Sequence, residues 1–415
     1  MQITRAYKVE LAPNNKQRSA LIQHCGAARH VYNWGIEQKQ KAYKATGKSP
    51  GAMKLHRKLN ELKKAPKEDG GKPWLYSVSK CAGQEALRDL DRAFQSFFRR
   101  CKQGAKKKGY PRFKSRKRGL GSFRLTGTVK SLGGHVQLPK LGKIKLKERG
   151  YLPLPENKNV RVLSATVSEK AGRWFASFAV KEEIPDPVPK AKAKPVGVDV
   201  GVSSLATCSD GVVYENPRAL KRSLARLKQL QRSVSRKKRG SRNRQKAVRC
   251  VQRLHYRIAC LRADTIHKAT TDIVRAYDLI GIETLNVSGM LKNRRLSRAI
   301  SDASMSEFLR QIRYKAEWAG AEVVEAPRFY PSSKTCSRCE NVDAGFKLGM
   351  DVYRCERCGL VLGRDLNAAI NLKNLAASSA VTACGEESAG SGRKPGVKLV
   401  SMKQEPNRRS QCVST

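Results

Sequence analysis

The chain has 415 residues, and its 85 Lys and Arg against 34 Asp and Glu give a formal net charge of +51. A surplus of this size would repel itself in an isolated protein, so we expect a polyanion to cancel it, and nucleic acid is the obvious one. No apolar run approaches the roughly 18 residues of a membrane span, and the N-terminus lacks the hydrophobic segment of a signal peptide. Membrane insertion and secretion are therefore not expected.

The numbers and positions of histidine and cysteine exclude further classes of protein. The 6 histidines form no close cluster, which leaves little basis for a His-based nuclease or a His-rich metal enzyme. Of the 12 cysteines, four form one tight group and the others are scattered. This usage is typical of a cytosolic protein with one metal site. We expect a soluble, cytoplasmic protein that binds nucleic acid.

The first part of the chain changes pattern twice. Residues 3–11 alternate like a strand, and residues 16–100 carry apolar side chains at helical spacings of three and four. Residues 119–190 hold short strand-like runs between glycines and prolines. The order strand, helices, strands predicts one β-rich barrel that is interrupted by a helical domain.

A strongly basic segment ends the predicted helical region. Residues 99–118 contain 11 Lys or Arg, with Tyr110, Pro111 and Phe113 among them. A concentration of positive charge of this kind favours contact with nucleic acid. The candidate contacts in this segment are Lys106, Lys107, Lys108, Arg112 and Lys114.

Residues 187–195 are rich in Pro and Lys, which predicts a linker, and a second domain follows with two strands and two long helices. Residues 218–257, in these helices, hold 16 basic residues and no acidic one. A solvated helix face is the alternative interpretation, but without acidic residues no i,i+4 pair offsets the repulsion. A basic helical hairpin that lies on phosphate is therefore favoured. Its candidate contacts are Arg236, Lys237, Lys238 and Arg239.

The last part of the chain is predicted to alternate strands and helices around the cysteine group. A buried strand at 278–285, a helix at 305–319 and a strand at 321–326 precede the cysteines, and a last helix opens at 363. Residues 376–415 are rich in Ser, Ala, Gly and Lys with little periodicity, which predicts a disordered tail.

The cysteine group has the spacing C-x2-C-x15-C-x2-C and consists of Cys336, Cys339, Cys355 and Cys358. Two facing pairs of thiolates complete a tetrahedral site for one structural Zn²⁺, with Zn–S bonds of about 2.3 Å. Disulfides are the alternative and are disfavoured in a reducing compartment, and a redox C-x-x-C lacks its βαβ context. Gly359 follows the second pair and suits a positive φ, whereas Glu340 follows the first, which predicts a less regular first knuckle.

Three carboxylates stand out among the few acidic residues. Asp199 and Glu283 lie inside otherwise apolar strands, and Asp365 opens the last helix. A strand-end cap or an ion pair with one of the many arginines is the alternative for any one of them. Three together favour a shared cation site. Oxygen ligands without nearby Cys or His indicate two Mg²⁺ ions, or Mn²⁺, that could support phosphodiester cleavage.

Five segments resemble one known family and occur in the order that the family has. They are GVDVGVSSLAT, GIETLNVSGM, YPSSKTCSRC, CERCG and RDLNAAINL. The chain thereby resembles TnpB, the RNA-guided nuclease family of bacterial insertion sequences and a relative of the compact type V CRISPR effectors. The resemblance covers nearly the whole chain.

The fold class that the resemblance implies is a multidomain α/β protein. The implied parts are an oligonucleotide-binding-like wedge barrel at 1–14 and 119–186, a helical recognition domain at 15–118, a linker at 187–195, a RuvC nuclease domain of RNase H type at 196–330 and 360–375, a zinc ribbon at 331–359 and the tail at 376–415. The family's three RuvC carboxylates fall on Asp199, Glu283 and Asp365.

The activity that the resemblance implies is RNA-guided cleavage of double-stranded DNA beside a short target-adjacent motif. The guide RNA would derive from the right end of the element, with one protein per RNA, in the bacterial cytoplasm at the nucleoid. Lys80 and Gln84 match positions that the family uses to contact the motif, and Gln can pair bidentately with adenine. An ordinary solvated helix face is the alternative for this pair.

One departure from the family concerns the metal site. Gly363 stands where the family has the first Asp of Asp-Arg-Asp, which puts the local metal geometry in question. Because Asp365 is retained, we expect activity to survive.

Two other functions stay open at the level of sequence. The first is a nuclease-inactive, RNA-guided DNA-binding repressor, against which the retention of all three carboxylates argues. The second is a transposase that joins strands itself, since an RNase H fold supports that reaction as well.

Overall fold

The computed structural model describes residues 1–153, 160–187, 194–346 and 349–386. Most of the predicted linker (188–193) and much of the predicted tail (387–415) lie outside these ranges. The chain divides into two compact units. Unit 1 comprises Met1–Ala191, Asn216–Ile273 and Val287–Gly320, and unit 2 comprises Lys192–Glu215, Val274–Asn286 and Ala321–Thr415.

The described strands are β1 (Gln2–Ala12), β2 (Ser122–Thr126), β3 (Lys130–Ser131), β4 (His135–Leu138), β5 (Gly142–Leu146), β6 (Val160–Lys170), β7 (Arg173–Glu183), β8 (Pro195–Asp199), β9 (Ser204–Cys208), β10 (Val213–Glu215), β11 (Leu279–Ile282), β12 (Glu322–Glu325), β13 (Val352–Arg354) and β14 (Val361–Gly363). The described helices are α1 (Asn15–Thr46), α2 (Ala52–Lys64), α3 (Lys80–Lys102), α4 (Ala219–Ser235), α5 (Arg242–Ala276), α6 (Val287–Met290), α7 (Ser297–Ala303), α8 (Met305–Ala319) and α9 (Arg364–Glu386). Across the described residues, no helix is both long enough and apolar enough to cross a membrane.

Unit 1 contains a seven-stranded sheet in the order β2-β6-β7-β1-β5-β4-β3. Its strands come from the ranges at 1–14 and 119–186, and no pairing among the described residues joins β2 to β3 into a closed barrel. The β6–β7 hairpin turns through Ala171 and Gly172, both with positive φ, as in the tight turns whose twist matches that of paired strands. Alternate residues such as Phe178 and Val180 are buried in the core.

Three helices are inserted between β1 and β2. Helix α1 begins with a capping box, in which the Asn14 side chain accepts from the Gln17 backbone N–H, and ends at the left-handed Gly47. The three helices share a core that includes Val31, Leu55, Leu59 and Leu87. This insertion carries the long basic segment at its end.

Helices α4, α8 and most of α5 belong to unit 1, so the units differ from the predicted nuclease range of 196–330. Tyr256 of α5 packs against Phe175 of β7, with ring centroids 5.4 Å apart. The buried Asp302 accepts from the backbone N–H groups of Leu220 and Lys221 at the start of α4. Sequence periodicity gives no information about these long-range contacts.

Unit 2 contains a five-stranded sheet in the order β10-β9-β8-β11-β12. Strands β8, β11 and β12 are parallel, and β9 is antiparallel to β8. Helix α9 lies against this sheet and continues to Glu386, so the prediction of disorder from residue 376 was wrong as far as residue 386. Leu372 and Ala376 are fully buried, and the Ala-rich sequence has high helix propensity, which the compositional argument neglected.

Candidate functional site

Asp199 and Glu283 lie at the same edge of the unit 2 sheet. Asp199 is the last residue of β8, and Glu283 follows Ile282, the last residue of β11. Ile282 pairs with Val198 in the parallel register, so the two carboxylates take adjacent places at the carboxyl ends of neighbouring strands.

A pair of glycines lets α9 approach these strands closely. Gly197 and Gly281 are paired across β8 and β11, each two residues before a carboxylate. A Cβ on Gly197 would overlap the carbonyl oxygen of Ala369, and one on Gly281 would overlap that of Leu372. The helix backbone therefore rests directly on the glycines. Asp365, one turn before Ala369, is thereby brought towards the carboxylate edge.

The surroundings of Asp199 and of Glu283 disfavour the charged forms of both carboxylates. Burial raises the pKa of Asp199 to about 8, and the negative charges of Glu283 and Asp365 add to this effect. Burial also raises the pKa of Glu283, which the hydrogen bond from Ser332 opposes. Poorly solvated carboxylates that repel one another are the donor set that a divalent cation would stabilise.

Two of the carboxylates are also held by protein groups. Ser332 Oγ donates to Glu283 Oε1. Arg364 donates to Asp365 Oδ1 from Nε at 2.9 Å and from Nη2 at 2.7 Å. Among the described residues, only the four cysteines bring ligand atoms close enough together for a single ion. The oxygen atoms of the three carboxylates are further apart than the sulfur atoms of this group.

Sequence reasoning missed two buried asparagines of α9 that organise this site. Asn371 Nδ2 donates to the carbonyl oxygens of Ser332, at 2.8 Å, and of Thr335, at 2.7 Å. Asn367 Nδ2 also donates to the Thr335 carbonyl oxygen, and its Oδ1 accepts from the Ser337 backbone N–H. The segment that carries both Ser332 and the first zinc knuckle is thus fixed to α9. The sequence did offer one signal for these asparagines, because two poor helix formers four residues apart inside a helix need a reason to be there.

The four cysteines converge as their spacing predicts. The Sγ atoms of Cys336 and Cys358 are 3.6 Å apart, and those of Cys339 and Cys355 are 3.5 Å apart. Tetrahedral coordination with bonds of about 2.3 Å requires sulfur atoms about 3.8 Å apart, so the group fits one zinc ion. These four cysteines, like the six described ones between Cys25 and Cys260, are free of disulfides.

The prediction of a less regular first knuckle was wrong. Glu340 takes a φ of 60°, close to the 72° of Gly359 in the second knuckle. The Glu340 N–H donates to the Cys336 carbonyl oxygen at 3.0 Å, and the Gly359 N–H donates to that of Cys355 at 2.9 Å. The four-residue turn imposes this conformation on either residue type.

Gly363, the departure from the family pattern, lies in β14 opposite Val352. A Cβ built there meets nothing within 4 Å. The backbone would therefore accept an Asp at this position.

The basic candidates lie in two separate segments of unit 1. Lys106, Lys107, Lys108 and Arg112 are exposed in the segment after α3, and Arg236, Lys238 and Arg239 are exposed between α4 and α5, where Lys237 is partly buried. The first segment is fixed to α1, since Asn33 exchanges hydrogen bonds of 2.9 and 2.8 Å with the Lys114 backbone. Lys114 Nζ lies 3.8 Å from the ring centroid of Tyr32. Contacts of these residues with nucleic acid stay predictions.

Lys80 and Gln84 lie one turn apart at the start of α3, where Lys80 is exposed. The residue before them, Ser79, donates its backbone N–H to Nε2 of the buried His24 at 3.0 Å. This bond fixes the beginning of the helix. Their contact with a DNA motif also stays a prediction.

Parts of this chain match three family profiles, and the whole chain is similar to named proteins. Residues 177–294 match the family profile described as "Probable transposase", residues 306–372 match "Cas12f1-like, TNB domain", and residues 1–48 match "Helix-turn-helix domain". A Streptomyces pristinaespiralis protein named "Putative RNA-guided DNA endonuclease" is 39% identical, over 98% of this chain and 97% of that protein. An Escherichia coli K12 protein named "Putative RNA-guided DNA endonuclease InsQ" is 33% identical to this chain over 100% of both chains. Among solved structures, a Cas12f1–sgRNA–target DNA complex has a TM-score of 0.34 at 16% identity, over 90% of this chain and 99% of that chain.

Proposed function

This chain belongs to the TnpB family of RNA-guided DNA endonucleases, and from that premise we propose that it cleaves double-stranded DNA at sites selected by a bound guide RNA. The guide RNA would derive from the right end of the insertion sequence that carries the gene. The protein would read only a short motif beside the target, while base pairing reads the rest.

The observation that carries this proposal is the arrangement of three carboxylates on two parallel strands and one helix. Asp199 and Glu283 stand in register, and α9 brings Asp365 to them across the glycine pair. A purely structural ion pair does not need two further carboxylates beside the buried Asp199, whose charges add to the rise of its pKa. A nuclease that holds divalent cations does.

The residues of the site have separate roles in the proposed hydrolysis. Two Mg²⁺ ions held by the three carboxylates would activate a water molecule and stabilise the leaving oxygen of the phosphodiester. Ser332 occupies one oxygen of Glu283 and so orients the carboxylate. Arg364 does the same for Asp365. In the reaction the water oxygen bonds to phosphorus, the ester oxygen of one sugar leaves, and that oxygen takes up a proton.

The proposed zinc ribbon has a structural role beside this site. Asn367 binds the Ser337 N–H within the first knuckle and the Thr335 carbonyl oxygen before it. Asn371 binds the carbonyl oxygen of Ser332, the residue that donates to Glu283. Zinc would thereby keep the segment in the conformation that positions a catalytic carboxylate.

We assign the proposed DNA-reading role to Lys80 and Gln84 and the proposed RNA-holding role to the two basic segments. Lys80 lies near Lys63 and Arg88. Burial lowers the pKa of Lys63, and the charge of Lys80 adds to this effect. Burial also lowers the pKa of His56, and the charges of Lys63, Arg88 and Lys80 add to that effect. This concentration of positive charge supports contact with a DNA backbone beside Gln84. A guide RNA and its heteroduplex would be held by backbone and shape.

The first experiment purifies the full chain from cells that carry its native 3′ flanking DNA and sequences the RNA that co-elutes. We expect one RNA species that ends in sequence from beyond the element. Heterogeneous RNA, or no RNA, would contradict guidance and leave a nonspecific nucleic-acid-binding protein.

The second experiment compares Asp199→Asn with Asp264→Asn, an exposed carboxylate of α5, in a Mg²⁺-dependent cleavage assay. Asp199→Asn should lose cleavage and keep both RNA and target binding, while Asp264→Asn behaves as wild type. If neither the wild type nor the Asp199 variant cleaves DNA, and both repress a target promoter equally, the repressor is favoured. Strand-transfer products would favour the transposase that one family description names.

A further inference from the structure

A cavity of about 480 Å³, which we call the aromatic cavity, lies between the end of α1 and the end of α3 in unit 1. Its rings are Tyr43, Phe94, Phe97, Phe98 and Tyr110. Neither the proposed DNA cleavage nor the proposed motif reading uses it.

The rings on one side form a preformed wall. Tyr110 meets Phe94 and Phe97 edge to face, with centroids 5.5 and 5.3 Å apart. Gln40 donates to the Tyr110 hydroxyl at 3.4 Å. Since this wall exists without a ligand, binding would require little reordering.

Three of the five rings are unusually accessible for their type. Phe98 is 53% exposed, Tyr43 is 64% exposed and Tyr110 is 46% exposed. Exposed apolar rings around one cavity mark a binding surface, since covering them with an apolar partner is favourable. The cavity volume lies within the range of sites for small ligands, about 300–1,000 Å³.

The charge around the aromatic cavity indicates what covers it. Lys106, Lys107 and Lys108 lie two to four residues before Tyr110 in the chain, and Lys44 lines the cavity. Arg100 lies against the backbone of Gly109, where an added Cβ would be 2.6 Å from its Nη1. Asp91 is paired with Lys39 at 2.7 Å and does not reduce this surplus. Aromatic rings beside a row of cations are the combination that binds unstacked bases and their phosphates.

We propose that the aromatic cavity holds one unpaired nucleobase of the bound RNA. The inference rests on the proposed function, because it requires a resident RNA. A folded RNA permanently presents unpaired loop bases, which proteins recognise by stacking on aromatic rings, whereas target DNA arrives paired. A second copy of this chain is a poor occupant, because it carries the same charge of +51.

The test uses the full-length protein with its co-purified RNA, prepared with 4-thiouridine incorporated for ultraviolet cross-linking. We expect cross-links to peptides that contain Tyr43, Phe98 or Tyr110. In parallel, Phe98→Ala should weaken binding of the isolated RNA by roughly 5- to 100-fold. The slope of affinity against salt should not change, because a stacking ring neutralises no phosphate.

Two variants control for folding and for general aromatic loss. Phe98→Tyr keeps a stacking surface and should retain wild-type affinity. Tyr76→Ala removes another exposed ring of the same helical insertion, outside the aromatic cavity, and should have no effect.

The inference is overturned if Phe98→Ala binds the RNA as tightly as wild type, or if these peptides cross-link only to bromodeoxyuridine-labelled target DNA. A protein–protein cross-link at these rings would also overturn it, in favour of a second copy. If no RNA co-purifies at all, the proposed function itself fails. If RNA is present and guides cleavage while Phe98→Ala is silent, only the assignment of the cavity fails.

Discussion

Glu340 holds a backbone conformation that glycine adopts at no steric cost. A left-handed backbone conformation costs a non-glycine residue roughly 1 kcal/mol or more. Replacement by glycine removes this cost, but the greater freedom of glycine in the unfolded chain offsets part of the gain. We expect Glu340→Gly to stabilise the ribbon by about 0.5 kcal/mol, measured as slower loss of zinc to a chelator. Gly359→Ala, with φ 72°, should act in the opposite direction. Faster zinc loss from Glu340→Gly would show that the glutamate side chain stabilises the knuckle.

Ser332 is buried and donates its hydroxyl to Glu283. A hydrogen bond to a charged group contributes about 1.5–3 kcal/mol, so Ser332→Ala should slow cleavage by roughly 10- to 100-fold. The Mg²⁺ concentration for half-maximal rate should rise as well, because Glu283 loses its orientation. Zinc content and RNA binding should stay at wild-type values. A variant that loses zinc together with activity would instead indicate a structural defect of the segment.

His24 is buried, with Nδ1 at 2.7 Å from the Ala20 carbonyl oxygen and Nε2 accepting from the Ser79 N–H. The bond from Ser79 requires the neutral ring, because a protonated Nε2 cannot accept. Burial lowers the pKa of His24 below the usual 6.5, and the bond to the Ala20 carbonyl oxygen opposes this shift only in part. The unfolded chain therefore takes up the proton first, so stability is complete above about pH 6.5 and decreases as the pH falls towards the lowered pKa. His24→Gln should make melting temperature less dependent on pH between about 5 and 7. The exposed His135→Gln is the control, and an equal slope in both variants would contradict the assignment.

At the scale of secondary structure, the approach of α9 to the sheet depends on Gly197 and Gly281. An Ala at either position would overlap a helix carbonyl oxygen, so α9 must move away and carry Asp365 with it. We expect Gly197→Ala and Gly281→Ala each to lower the free energy of unfolding by about 1–3 kcal/mol and to abolish cleavage. Denaturant melts measure the first effect, and the cleavage assay measures the second.

Gly26→Ala is the matched control for these substitutions. Gly26 lies inside α1, and an added Cβ meets only Arg29 Nη2 at 3.9 Å. Because Ala favours helix over Gly by about 1 kcal/mol, this variant should be as stable as wild type or more so, with full activity. Wild-type cleavage by the Gly197 or Gly281 variant would mean that the carboxylates do not need this helix position.

The helices and strands with strong periodicity could be predicted well from the sequence. The helix at 305–319 was predicted with the bounds that α8 has, and the strands at 278–285 and 321–326 contain β11 and β12. The extent of α9 was not predicted, because its Ser- and Ala-rich end lacks periodicity although Leu372 and Ala376 are buried. Two short strands, β3 and β5, were also missed, since they are held by pairing with neighbours rather than by local preference.

At the scale of the whole molecule, the charge of +51 determines how affinity responds to salt. Replacing Arg236, Lys237, Lys238 and Arg239 by Gln should reduce the slope of log affinity for RNA against log salt by about 3, if each side chain neutralises one phosphate. Filter-binding titrations over a range of salt concentrations measure this slope. A variant that binds more weakly with an unchanged slope would show that the turn between α4 and α5 does not contact phosphate.

The side chains of the candidate site could be predicted from the sequence more easily than the residues that hold them in place. The cysteine spacing and the acidic residues in apolar strands indicated the candidate side chains, since those residue types are costly to bury alone. Gly197 and Gly281 have no such signal in isolation, and Asn367 and Asn371 are marked only as two poor helix formers four residues apart. Their roles depend on which backbone lies against them, and that is a property of the tertiary fold.

The glycine pair also limits how the unit 2 sheet can misfold. A slip of one residue between β8 and β11 would turn Val198 or Ile282 towards α9, where only a hydrogen atom fits, and would separate the two carboxylates at the same time. The register that seats the final helix is therefore the same register that places the two carboxylates side by side. A sheet slipped by one residue would not persist as a folded form that differs only in its carboxylates.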